Sequence, residues 1–295
     1  GIAAYFLVHR YLPLDRRHSS VSWTSLDVKG TLLLSLTLGV YALSVTAGRA
    51  GFGAFNLALL AAAGVGLTLF VRAEAAAPSP LIHLALFRQP ALGASLAMSS
   101  LVSTVMMATL VVGPFYLSRA LALDAGLVGL AMAAGPLVAA LAAMPSGRLV
   151  DRIGPEKTTL AGLTCIAAGC SAVSLSPAAL GIGGYTVPLI VITAGYALFQ
   201  TANNTRVMKD IRPDQRGVIS GMLNLSRNLG LITGSSVMGA IFAVAAATTS
   251  IASADRAAVA FGMRATFAVS AVLVAGTLAI AIGSHARFPR DCASQ

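Results

Sequence analysis

Long stretches without a charged residue alternate with short clusters of charge, and this pattern restricts the fold more than any other feature of the chain. The uncharged runs cover residues 31–48, 50–71, 89–118, 125–147, 158–205, 228–254 and 265–286. In hydrocarbon no water is present to bond a free amide, so each segment must satisfy its own backbone, and runs of about 20 apolar residues read as spanning helices. The run 158–205 is too long for one span. Ser176-Pro177 with Gly181, Gly183 and Gly184 near its middle marks a turn that divides it, which makes eight spans. Composition agrees: 57% of the residues are hydrophobic and 10% charged, against about 25% charged in soluble domains. Too little polar surface exists to cover the chain in water, so the lipid bilayer is its expected partner.

Residues 1–8 are apolar but far shorter than a span, and the first residue is Gly1 rather than Met. They are expected to close a preceding helix, and the chain reads as a fragment. No basic stretch precedes them, so a signal peptide is not expected. A cytoplasmic loop follows at 9–29, then two helices within 30–71 joined by a short turn at Arg49-Ala50-Gly51. A second cytoplasmic linker, 72–90, carries Pro78, Pro80 and Pro90. Six helices over 91–284 form the expected domain, and 285–295 a cytoplasmic tail.

A net charge of +10 raises the question of nucleic acid. Nucleic-acid binders gather Lys and Arg on one face with stacking aromatics. Here the cations fall in alternate loops. If the loop with Arg148, Arg152 and Lys157 is inside, the inner side also holds Arg10, Arg16, Arg17, Lys29, Arg72, Arg88, Arg206, Lys209, Arg212, Arg216, Arg287 and Arg290. The outer side keeps Arg49, Arg119, Arg256 and Arg264. This asymmetry is the positive-inside rule, which accounts for the basicity without a polyanion and predicts a multi-pass inner-membrane protein with a cytoplasmic C-terminus.

Nothing points to an enzyme. No catalytic set, no phosphate-binding loop and no HExxH pair is present, and His9, His18, His83 and His285 lie at expected span edges. Cys165, Cys170 and Cys292 lack metal-ligand spacing, so no metal or cofactor is expected. Cys165 and Cys170 are five apart and point to different helix faces.

The best local motif is Gly147-Arg148-Leu149-Val150-Asp151-Arg152-Ile153-Gly154-Pro155-Glu156-Lys157, joining two spans. Gly147 is expected to allow close backbone approach and Gly154 a tight reversal. Pro155 and Glu156 suit the first turn of the next helix. Asp151 between Arg148 and Arg152 can pair differently in two conformations.

The run Gly-x-Leu-x-Asp-Arg-x-Gly after a helix with Gly135-Pro136 resembles the inter-helix signature of the major facilitator superfamily. The stretch from Pro80 to Pro90, PLIHLALFRQP, is similar to the loop entering the C-terminal half of its fourteen-helix drug:proton antiporters, and so is Arg216 to Gly230, RGVISGMLNLSRNLG. The usual Gly-Arg-Arg/Lys continuation is replaced by Gly154-Pro155-Glu156-Lys157. The resemblance covers essentially the whole chain. It implies an all-α polytopic membrane protein: the C-terminal six-helix bundle of that fold plus two central linker helices, with a six-helix N-terminal bundle missing. It also implies efflux of drugs or other small amphipathic molecules by alternating access, driven by a proton gradient and no cofactor. Export of an endogenous metabolite, or a truncated half-transporter scaffold, are the rival functions.

The ten acids, Asp15, Asp27, Glu74, Asp124, Asp151, Glu156, Asp210, Asp214, Asp255 and Asp291, all fall in loops or at helix ends, so any coupling acid is expected in the missing bundle. The superfamily's architecture places the first and fourth helices of the group on the central cavity. These offer Met106, Met107, Tyr196, Phe199, Gln200, Asn203 and Asn204 for a small-molecule substrate, with Ser99, Ser103, Phe115 and Tyr116 nearby. Gly147, Asp151, Arg152, Gly154 and Arg227 are the expected gating residues. Arg227 lies roughly 15 Å into its helix at 1.5 Å per residue, where a charge is either functional or snorkels to the interface. Gly230 with Gly234, and Ser235 with Gly239, predict close helix packing.

Overall fold

The computed structural model describes residues 5–6, 9–10, 27–47, 53–77, 89–209, 211–212, 215–246 and 255–287. Most of the expected first stub and of the 9–29 loop, the Arg49-Ala50-Gly51 turn, Pro78 and Pro80, and the end of the tail lie outside them; Tyr5, Phe6, His9 and Arg10 are helical. Among the described residues there is no strand. Eight long helices follow in order: α1 (Val28–Thr46), α2 (Ala54–Ala76), α3 (Pro90–Phe115), α4 (Ala125–Ile153), α5 (Pro155–Leu175), α6 (Gly183–Lys209), α7 (Arg216–Ala245) and α8 (Arg256–Arg287). All eight are long and apolar enough to cross a membrane. α2 runs past residue 71, and its Glu74 is buried rather than part of a solvated linker.

Local chemistry sets the helix ends. The Asp27 carboxylate accepts from the Gly30 N–H at 2.8 Å, and the Asp124 carboxylate accepts from Gly126 and Leu127. Asn56 links the first two helices. Its oxygen accepts from the Gly53 N–H, while its amide donates to the Ser44 carbonyl at 2.7 Å and to that of Ala47. Those carbonyls belong to the last turn of α1, which otherwise lacks donors. Between α5 and α6, Gly181 takes φ +57°, in the turn that the Ser-Pro and glycine cluster predicted.

The inter-helix signature is mostly helix. α4 continues to Ile153, and the reversal falls on Gly154 at φ +85°, with Pro155 opening α5. Only glycine adopts that angle without strain. Gly147 corrects the expectation of close approach: a Cβ added there would meet nothing within 4 Å. At 29 residues α4 rises about 43 Å, beyond the ~30 Å of hydrocarbon, so its charged last turns project from the slab.

Two glycine crossings hold the bundle. On α5 and α6, a Cβ on Gly162 would lie 2.7 Å from the Phe199 nitrogen, and one on Gly195 would lie 2.7 Å from the Gly162 oxygen. On α3 and α7, a Cβ on Gly234 would stand 2.5 Å from the Thr104 carbonyl oxygen, and Gly230 is pressed likewise on Ser100. Small residues let backbones touch where lipid supplies no hydrophobic drive between helices. The Thr104 hydroxyl adds a bond to the Gly230 carbonyl at 3.0 Å. The contact at Gly239 is looser, 3.7 Å from a Val111 methyl.

α8 packs on α5 and α3. Arg264 reaches from it to the Ser176 carbonyl at 3.1 Å, satisfying the last turn of α5. The α1–α2 pair docks against α7 through the Tyr41 and Thr233 hydroxyls and a 2.6 Å bond from Ser236 to the Val45 carbonyl. Cys170 is fully buried and Cys165 half-buried, as their spacing predicts.

Candidate functional site

α3, α4, α6 and α7 surround a cleft of about 210 Å³, lined chiefly by Met106 and Thr109 of α3, Met132 and Pro136 of α4, Tyr196 of α6 and Leu231 of α7. Its walls are thioether, aromatic and aliphatic groups. Thr109 is turned away in part, donating to the Met106 carbonyl at 2.7 Å. Pro136 has no N–H to reach back to Met132, so α4 is locally pliable where it borders the cleft.

A polar belt lies one turn further along the same faces. Tyr196 is followed at helical spacing by Gln200, and Leu231 is preceded by Arg227. With the Gln200 amide oxygen turned toward the guanidinium, the orientation that satisfies both groups, Arg227 donates to it from Nη1 at 3.0 Å and from Nε at 3.2 Å. Nη2 reaches the Asn224 oxygen at 3.3 Å. Arg227 is half-buried and bridges α6 and α7. Among the described residues its hydrogen-bond partners are neutral amides. Asn204 is exposed, one turn beyond Gln200.

Several sequence-selected residues face elsewhere. Asn203 is fully buried and bolts α6 to α3, donating to the Ser99 hydroxyl at 2.9 Å and to the Ser95 carbonyl. Phe199 is fully buried against the Gly162 crossing. Met107 lies against Gly234 on α7. Phe115 stacks on Phe242, and Tyr116 packs on Tyr185, whose hydroxyl donates to the Thr109 carbonyl at 3.0 Å. Ser103 is buried. Thus Met106 and Tyr196 are brought to the cleft and Gln200 to its polar edge, whereas Phe199 and Asn203 are buried between helices and Met107 does not line the cleft.

Sequence reasoning missed the contribution of α4. Met132, Gly135, Pro136 and Ala139 line the cleft, yet an alanine-rich helix offers no polar residue to single them out. The Gly135-Pro136 pair was the available signal. Asp151 and Arg152 are exposed on the last turn of α4, at the end of the bundle where α5 begins.

Comparison with known proteins agrees with this architecture. The family model described as Major Facilitator Superfamily matches residues 2–235. The chain is 29% identical to an uncharacterized transporter, YebQ, of Escherichia coli over 242 residues, covering 81% of this chain and 52% of that protein. It is 32% identical to the drug efflux pump JefA of Mycobacterium tuberculosis, covering 75% of this chain and 44% of the pump. It is 26% identical to the lincomycin resistance protein LmrB of Listeria monocytogenes, covering 75% of this chain and 48% of that protein. The chain therefore spans about half the length of the curated relatives it matches. With a family match over most of its residues and eight helices able to span a bilayer, the chain belongs to the major facilitator superfamily of membrane transporters.

Proposed function

We propose that this chain is one half of a drug exporter, working by alternating access against a second six-helix bundle supplied by residues outside it. The observation that carries the reading is the cleft bounded by Met106, Met132, Tyr196 and Leu231, with the Gln200–Arg227 belt beside it. Thioether and aromatic walls repack around differently shaped apolar bodies, which suits a broad range of small amphipathic molecules. The names of JefA and LmrB, a drug efflux pump and a lincomycin resistance protein, support the same direction. In this reading the cation-rich end, with Arg148, Arg152 and Lys157, faces the cytoplasm of a plasma-membrane protein, as the positive-inside rule predicts.

Proton coupling is part of the proposal, and its titrating acid is assigned to the other bundle, because the acids of this chain stand at helix ends or in loops. Arg227 is assigned to this half's share of the cleft. A guanidinium there repels permanent cations and favours substrates that present an acceptor or negative group. The test is efflux of a panel of anionic, neutral and cationic dyes by the full-length transporter. Arg227→Leu is expected to reduce export of the anionic members about tenfold or more, one charge-assisted hydrogen bond in magnitude. Unchanged export across the panel would overturn the assignment of Arg227, and unchanged export after Met106→Trp with Tyr196→Ala would overturn that of the cleft.

A further inference from the structure

The cleft lies on a seam of the bundle. Both glycine crossings form within a helix pair, α5 with α6 and α3 with α7, and neither joins α6 to α3 or α7. Across that seam the helices touch far less than within either pair. Polar side chains of α6 tie it instead. The Tyr185 hydroxyl donates to the Thr109 carbonyl of α3 at 3.0 Å, the Asn203 amide donates to the Ser99 hydroxyl at 2.9 Å, and Gln200 accepts from Arg227 of α7.

These three ties differ in access. Tyr185 is 1% exposed and Asn203 0%, so a solute in the cleft does not reach them. Gln200 and Arg227 are both half-buried, one turn beyond the Tyr196 and Leu231 that line the cleft. The third tie also joins a full charge to a neutral acceptor. A single amide oxygen serves both Nη1 at 3.0 Å and Nε at 3.2 Å, and the other partner of the guanidinium is Asn224 of its own helix. Bonds between two ionised groups are roughly twice as strong as neutral ones, and a carboxylate brings two oxygens to the guanidinium where the amide brings one. The Gln200 amide therefore keeps Arg227 hydrogen-bonded in an empty cleft and gives way to a stronger acceptor.

We propose that Gln200 is a displaceable latch on Arg227: an anionic substrate in the cleft takes over the guanidinium and frees α6 from α7 at that point. Only hydrogen bonds are exchanged, and no proton moves. The latch sets a threshold, because an acceptor no stronger than an amide gains nothing from the exchange, and so it sharpens discrimination between anionic and neutral substrates. The inference rests on the assignment of Arg227 to the cleft.

The test measures dye export by the full-length transporter in vesicles, with the best-exported anionic and neutral dyes of the panel, and reads the ratio of their KM values. Gln200→Leu leaves nothing to displace, so the anionic-to-neutral KM ratio is expected to fall about tenfold. Gln200→Ser, too short to hold the guanidinium, should act likewise and serves if Gln200→Leu lowers the thermal midpoint. Gln200→Glu gives Arg227 an ionised partner and should raise the ratio about tenfold or more. A side chain that merely packs would move both KM values together. An unchanged or raised ratio in whichever of Gln200→Leu and Gln200→Ser keeps the wild-type midpoint, or a lowered ratio in Gln200→Glu, would overturn the latch. Arg227→Leu separates the two ideas. If it raises the ratio while the Gln200 variants do not respond, the latch alone falls; if it leaves the ratio unchanged, or if the wild type exports no anionic dye, the assignment of Arg227 falls and the latch with it.

Discussion

α3 and α4 are neighbours in sequence and nearly equal in hydropathy, 1.8 and 2.1 over their most apolar windows, yet 56% of the α3 window is buried and only 6% of the α4 window. In lipid, apolarity does not choose what a helix faces, because hydrocarbon and protein interior are equally acceptable to leucine. Small and hydroxyl-bearing residues make the choice. α3 carries Ser95, Ser99, Ser103, Thr104 and Thr109, all buried, and crosses glycines of α7. α4 displays Leu127, Leu130, Leu137, Leu141 and Met144 outward and packs mainly on α6. The buried helix anchors the bundle. The exposed one forms a pliable wall of the cleft.

This contrast can be broken hardest at a glycine crossing. Gly162→Leu drives a side chain into the α6 backbone at Phe199, with an expected loss of about 3 kcal/mol. A fall in the thermal midpoint of the purified chain in detergent would register it, and an unaltered midpoint would show that the crossing is not tight. Next comes the polar link between α6 and α3. Asn203→Leu removes donors to Ser99 and Ser95 and should cost roughly 1 kcal/mol, the scale of interhelical hydrogen bonds in membranes, measured by unfolding in mixed micelles. On α4 the expected effects are smaller and partly reversed. Gly147→Ala, in open space inside a helix, should stabilise the chain by about 0.5 kcal/mol through helix propensity. Activity lost in the full-length transporter alongside that gain would mean that another bundle approaches Gly147. Least of all, Leu137→Ala on the outward face should move the midpoint by less than about 0.5 kcal/mol-equivalent, sharpening the difference from α3.

The candidate site was legible in part, and the pattern of success has a reason. Met106 and Tyr196 reach the cleft because helical spacing places them on the face it opens on, but spacing cannot tell that face from its neighbour, on which Met107 and Phe199 lie. Asn203 shows the limit of reasoning from polarity. An amide in a membrane helix wants a partner, and the Asn203 Nδ2 finds it in Ser99 of the same bundle. Arg227 shows the reverse: Asn224 lies one turn away on its own helix, but its partner Gln200 became visible only when α6 and α7 were set side by side.

What the sequence by itself determined is the solvent, the number of spans and the places where the chain reverses. Charge-free length, proline at helix starts and glycine at the Gly154 and Gly181 turns are local properties, and each acts within a few residues. Tertiary structure alone decided which side of each helix is covered, because a face is covered only by what packs on it. The α4 wall of the cleft, the burial of Asn203 and Phe199, and the bridge from Arg227 to Gln200 all arise where residues far apart in the chain converge.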